Sequence, residues 1–63
     1  MIVVTRLKGE ALVLNAELIK TIEATPDTLI TLVNGGQLMV RESIEEVVRR
    51  AVAYGRSIRA LNA

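Results

Sequence analysis

The chain alternates short apolar runs with turn-forming residues. Ile2 to Leu7 and Glu10 to Leu14 are β-branched or apolar segments separated by Lys8-Gly9, a spacing that predicts a hairpin of two strands with Gly9 in the turn. Asn15-Ala16-Glu17 predicts a short turn, and Leu18 to Ala24 a third strand whose alternation is interrupted by Lys20 and Glu23. Thr25-Pro26-Asp27 reads as a second turn, with Pro26 presetting φ, before the strongly β-prone Thr28 to Val33. Asn34-Gly35 is the residue pair that suits a type I′ turn, in which both central residues take positive φ, and it leads into a fifth strand over Gln37 to Arg41.

The period then changes. Ser43 followed three residues later by Glu46 is a capping box, so a helix is expected from Ile44. Ile44, Val47, Val48, Ala51, Val52, Ile58 and Leu61 follow the three-to-four spacing of one buried face, with Gly55 as a point where the helix ends or loosens. The expected fold is α+β: a small antiparallel sheet or partly closed barrel of about five strands followed by one C-terminal helix, in one domain spanning residues 1–63.

Strands one and four are apolar on both faces, Val3 and Leu7 against Ile2 and Val4, and Leu29 and Val33 against Ile30 and Leu32. One helix covers only one face. The other is left for curling into a barrel, for a second protomer or for a partner protein. A 63-residue chain with no Cys and no His has neither disulfides nor thiolate or imidazole metal ligands to reinforce it, which leaves oligomerisation as the expected support.

Composition narrows the chemistry further. Eight basic and seven acidic residues give a net charge of +1, short of the positive excess that drives sequence-independent nucleic-acid binding. The one aromatic, Tyr54, provides no stacking platform beside Arg49, Arg50, Arg56 and Arg59. Those arginines read as a solvated helix face or a docking surface. Glu42, Glu45 and Glu46 cluster where carboxylates complement a helix N-terminus, and Glu45/Arg49 and Glu46/Arg50 have the spacing of surface ion pairs. Lys8-Gly9 and Asn34-Gly35-Gly36 lack the spacing of a phosphate loop, and no hydroxyl has a base to activate it, so neither a cofactor nor catalysis is expected. The N-terminus has no basic n-region before its short apolar run, and the longest uncharged stretch, Thr28 to Val40, is far below the roughly 20 residues of a membrane helix, so a cytoplasmic location without membrane insertion is expected.

Ile2-Val-Val-Thr-Arg-Leu7 with Gly9, Leu18-Ile-Lys-Thr-Ile-Glu-Ala-Thr-Pro-Asp-Thr28, Ile30-Thr-Leu-Val-Asn-Gly35 and Val40-Arg-Glu-Ser-Ile-Glu-Glu-Val47 together resemble the short FlbD/SwrD proteins. The resemblance runs from Met1 to about Ile58, with Lys8 standing where asparagine is expected and Leu12 where an aromatic is usual. It implies an accessory role in flagellar or swarming motility. The expected partners are a second copy of the chain and a motor, stator or basal-body protein, with recruitment to the cytoplasmic side of the motor. Arg6, Arg41, Arg49 and Arg56 are the candidate contact residues, and Gly9, Pro26, Asn34, Gly35 and Ser43 the structural turns and cap. A second resemblance, of Thr5-Arg6-Leu-Lys-Gly9-Glu10 and Val40-Arg41-Glu42 to the two ends of the RNA-binding CsrA dimer, implies RNA as the alternative partner of Arg6 and Arg41.

Overall fold

A computed structural model describes the backbone of residues 1–62 and the side chains of residues 1–54. Five strands, β1 (Ile2–Thr5), β2 (Ala11–Leu14), β3 (Ile19–Ala24), β4 (Thr28–Leu32) and β5 (Gln37–Val40), precede one helix, α1 (Ile44–Asn62). They form two antiparallel sheets, β1-β2 and β3-β4-β5. A single bridge between Arg6 and Val40 links the two, reinforced by the Arg41 amide donating to the Thr5 carbonyl at 2.8 Å. The strands therefore follow one another around a partial curl, β2-β1-β5-β4-β3, that does not close into a barrel.

Of the three hairpins, β1-β2 and β4-β5 turn in the same way. Arg6 N–H donates to Glu10 O and Gly9 N–H to Arg6 O, and Leu32 N–H donates to Gly36 O and Gly35 N–H to Leu32 O. Each is thus a three-residue loop, Leu7-Lys8-Gly9 or Val33-Asn34-Gly35, whose third residue is glycine at positive φ, +104° for Gly9 and +91° for Gly35. This corrects the expected type I′ turn. Asn34 keeps a negative φ because its side chain has another use: Oδ1 accepts from the Gly36 amide at 2.9 Å, an Asx turn that holds the loop. Leu7 and Val33 consequently belong to loops, not strand faces, and both are exposed.

Pro26 follows a cis peptide bond, and the Thr25 amide closes that turn on the Asp27 carbonyl. Asn15 caps a single 3₁₀ turn, Ala16–Leu18, accepting from the Glu17 amide.

The core is small: Ile2 and Val4 from β1, Leu14 from β2, Ile30 from β4, Val40 from β5 and Val47 from α1. Leu12, Ile19, Ile22, Leu32, Leu38 and Tyr54 pack around it, half-buried. The helix runs through Gly55, which neither ends nor breaks it. Only part of its expected apolar face is covered. Val47 is fully buried and Ile44, Ala51 and Tyr54 half-buried, whereas Val48 and Val52 are exposed. The reason is geometric: Val48 and Val52 lie about 100° around the helix from Val47 and Ala51, so sheets that cover the Val47 side leave them outside the contact. Ile58 and Leu61, predicted for the same face, lie outside the described side chains.

Candidate interaction surface

The helix is fastened to β1 by polar side chains as well as by Val47. The Glu42 carboxylate accepts the Thr5 amide and the Thr5 hydroxyl, each at 2.8 Å, and its side chain is only 10% exposed. Arg50 reaches the same place from α1. Its guanidinium donates to the Val3 carbonyl and to Glu46 at 2.6 Å and approaches Glu42 at 3.2 Å. These backbone groups of Val3 and Thr5 point away from β2, and among the described residues the ladder beyond them is a single isolated bridge, Arg6–Val40, with its Arg41 N–H to Thr5 carbonyl bond, so side chains complete the hydrogen bonding along this edge.

The electrostatics follow from these contacts. Burial pushes the Glu42 carboxyl up, but the two Thr5 hydrogen bonds and the Arg50 charge outweigh it and hold it below the ordinary carboxylate range. Arg49 and Arg50, both bonded to Glu46, bring that carboxyl down to about 2. Among the described residues no buried side-chain polar atom lacks a partner, and no cluster of carboxylates is arranged to hold a metal. Glu42 and Glu46 thus serve as fasteners, while Glu45 is exposed.

The candidate arginines occupy different settings. Arg6 is exposed at the end of β1. Arg41 lies across the same junction, but its Nε donates to the Leu7 carbonyl at 2.9 Å and its guanidinium lies over Gly9, 3.4 Å from where a β-carbon there would sit. Arg41 therefore latches the first hairpin loop. Arg49 pairs with Glu46, not with Glu45 as its i,i+4 spacing predicted. The Arg56 side chain lies outside the described residues. Ser43 caps the helix, its hydroxyl accepting the Glu46 amide at 3.2 Å, although the Glu46 carboxylate turns to Arg49 and Arg50 and not back to the cap.

The sequence predicted the Glu46/Arg50 pair, which forms, but not the reach of Arg50 to Val3 and Glu42, nor the fastening of Glu42 to Thr5. Only Glu46/Arg50, spaced for an ion pair, carried a local signal; the Glu42–Thr5 contact joins opposite ends of the chain.

Beside this fastening lies an apolar surface. Val3 and Val13 are cross-strand partners on the outer face of β1-β2, 52% and 63% exposed, with Met1 next to them at 61%. Met1, Ile2, Val3, Arg50, Ala53 and Tyr54 line an open groove of about 590 Å³ between β1 and α1. A smaller depression beside the first loop, about 440 Å³, is lined by Arg6, Leu7, Lys8, Glu10 and Met39. No helix among the described residues is long and apolar enough to cross a membrane.

The described residues thus form a curl of two small sheets packed on one helix, with apolar side chains left exposed on β1, β2 and α1. Residues 1–59 match the model of the FlbD family, the flagellar and swarming motility proteins, and the chain belongs to that family. Comparison with curated proteins and with solved structures returned no match.

Proposed function

We propose that this motility protein is a non-enzymatic accessory factor. It acts by binding a stator, basal-body or other motor-associated protein at the cytoplasmic side of the motor, and it does so as a dimer or higher oligomer. The observation that carries this reading is the row of aliphatic side chains on the outer face of β1-β2. Met1, Val3 and Val13 together leave uncovered what a chain whose described residues bury a core of only six apolar side chains has every energetic reason to bury. Arg6, at the rim of the second depression, supplies an exposed charge for a further contact. The CsrA-like alternative draws on Arg6 and Arg41 meeting at the β1–β5 junction, but Arg41 is already bonded within the fold, which favours the protein-contact reading.

The test is capture from motile cells with a tagged chain, the eluate divided into protein and RNA. Enrichment of a stator or basal-body protein, lost with Val3→Asp, supports the proposal. Recovery of a specific RNA instead, lost with Arg6→Ala and weakened by salt, replaces it with the RNA-binding reading.

A further inference from the structure

The two outermost strands of the curl differ in how their free edges are protected. β3 carries Lys20 and Glu23, and its register shifts between Ile19 and Thr21; charges and irregularities of this kind discourage edge-to-edge pairing. β2 is Ala11-Leu12-Val13-Leu14, with no charge, no proline and a regular register. Nothing among the described residues pairs with its outer edge.

The ladder shows which backbone groups that edge presents. Arg6 and Glu10 form a hydrogen-bonded pair. Antiparallel pairs alternate, so along the register Thr5/Ala11, Val4/Leu12, Val3/Val13, it is Leu12 that faces β1, while the N–H and C=O of Ala11 and Val13 point outward.

We propose that β2 is where a second copy of this chain docks, edge to edge and antiparallel, deepening the self-association in the reading above and resting on it. A two-fold axis perpendicular to the sheet keeps every residue on its own face. The outward groups of Ala11 and Val13 are satisfied when Leu12 of one copy lies opposite Leu12 of the other, which gives reciprocal Ala11–Val13 backbone bonds on both sides of the axis. The Leu12 side chains, half-buried against each core, meet on the inner face, and Val13 gains Ala11 of the second copy as an outer-face neighbour. Charge agrees with this docking. Lys8 precedes the strand and Glu17 follows it; both are exposed, neither enters an ion pair among the described residues, and the antiparallel arrangement brings each Lys8 toward the opposite Glu17.

The chain contains no cysteine, so single-cysteine variants report directly on the joint. The purified chain should sediment at twice its mass, and Val13→Lys should halve that value with its circular dichroism retained. Leu12→Cys should form a disulfide-linked dimer under mild oxidation, and Lys20→Cys on β3 should not. A chain that sediments as a monomer at every concentration overturns the proposal and removes self-association from the functional reading as well. A dimer that cross-links through Lys20→Cys and not Leu12→Cys overturns only the assignment to β2. Should Val13→Lys fail to fold, the cross-linking pair decides alone.

Discussion

Glu42 and Thr5 stand 37 residues apart in the chain, yet one carboxylate holds both the amide and the hydroxyl of that threonine at 2.8 Å. The contact joins the segment before the helix to the strand that opens the chain, at an edge where a single bridge, from Arg6 just past β1, reaches β5. It performs the work of the missing ladder.

Removing that acceptor should destabilise the fold markedly. Glu42→Ala leaves the Thr5 amide without its partner in a partly buried site and should lower the unfolding free energy by about 1–3 kcal/mol, read from urea denaturation. Thr5→Val, which keeps the amide bond and removes only the hydroxyl, should lose less. Equal losses from the two would assign the effect to the hydroxyl alone.

Acid should weaken the same fastening. Glu42 and Glu46 are both depressed in the folded state, so their stabilising contributions are complete above the ordinary carboxylate pKa and are lost as pH falls through the folded value. For Glu46 the window runs from 4.5 down to about 2. The melting temperature should fall across that range, and Glu46→Gln should flatten the fall. A melting temperature constant from neutral pH to pH 2 contradicts this. The Glu46 contribution should also shrink in high salt, since its arginine partners are substantially exposed.

The two loops should respond alike to loss of their glycines. Gly9→Ala and Gly35→Ala each force a side chain into positive φ and should cost about 1–2 kcal/mol, with Gly35→Asn milder and Gly35→Val worse. A β-carbon at Gly35 meets nothing within 4 Å, so its loss measures the backbone effect by itself. At Gly9 a β-carbon would touch the Arg41 guanidinium at ordinary contact distance. Thermal melts of the four variants give the ranking; an unchanged Gly35→Val melt contradicts the turn geometry.

Arg6 and Arg41 should separate. Arg41→Ala removes the bond to the Leu7 carbonyl and should lower stability by about 0.5–1.5 kcal/mol, whereas exposed Arg6→Ala should stay within about 0.5 kcal/mol of the parent. A swarming defect in Arg6→Ala with an unaltered melt then reports on contact, and one in Arg41→Ala requires the stability measurement beside it.

What the sequence determined by itself was local. Alternation, the glycines of the two loops, Asn15 and Ser43 each act within a few residues, and the five strands and the helix start appear where those signals place them, to within a residue or two at the strand ends. The same locality explains the errors. Asn34-Gly35 fits two turn types, and the choice rested on Asn34 Oδ1 taking the Gly36 amide; Val48 and Val52 share the helix period of Val47, but periodicity carries no information on how much sheet is there to cover them. Tertiary structure alone decided that Glu42 serves Thr5, that Arg41 latches the first loop and that β2 rather than β3 keeps an unguarded edge. Each depends on segments distant in the chain being brought together by the curl of the sheets, and the buried area and backbone bonds that drive that curl belong to the whole fold.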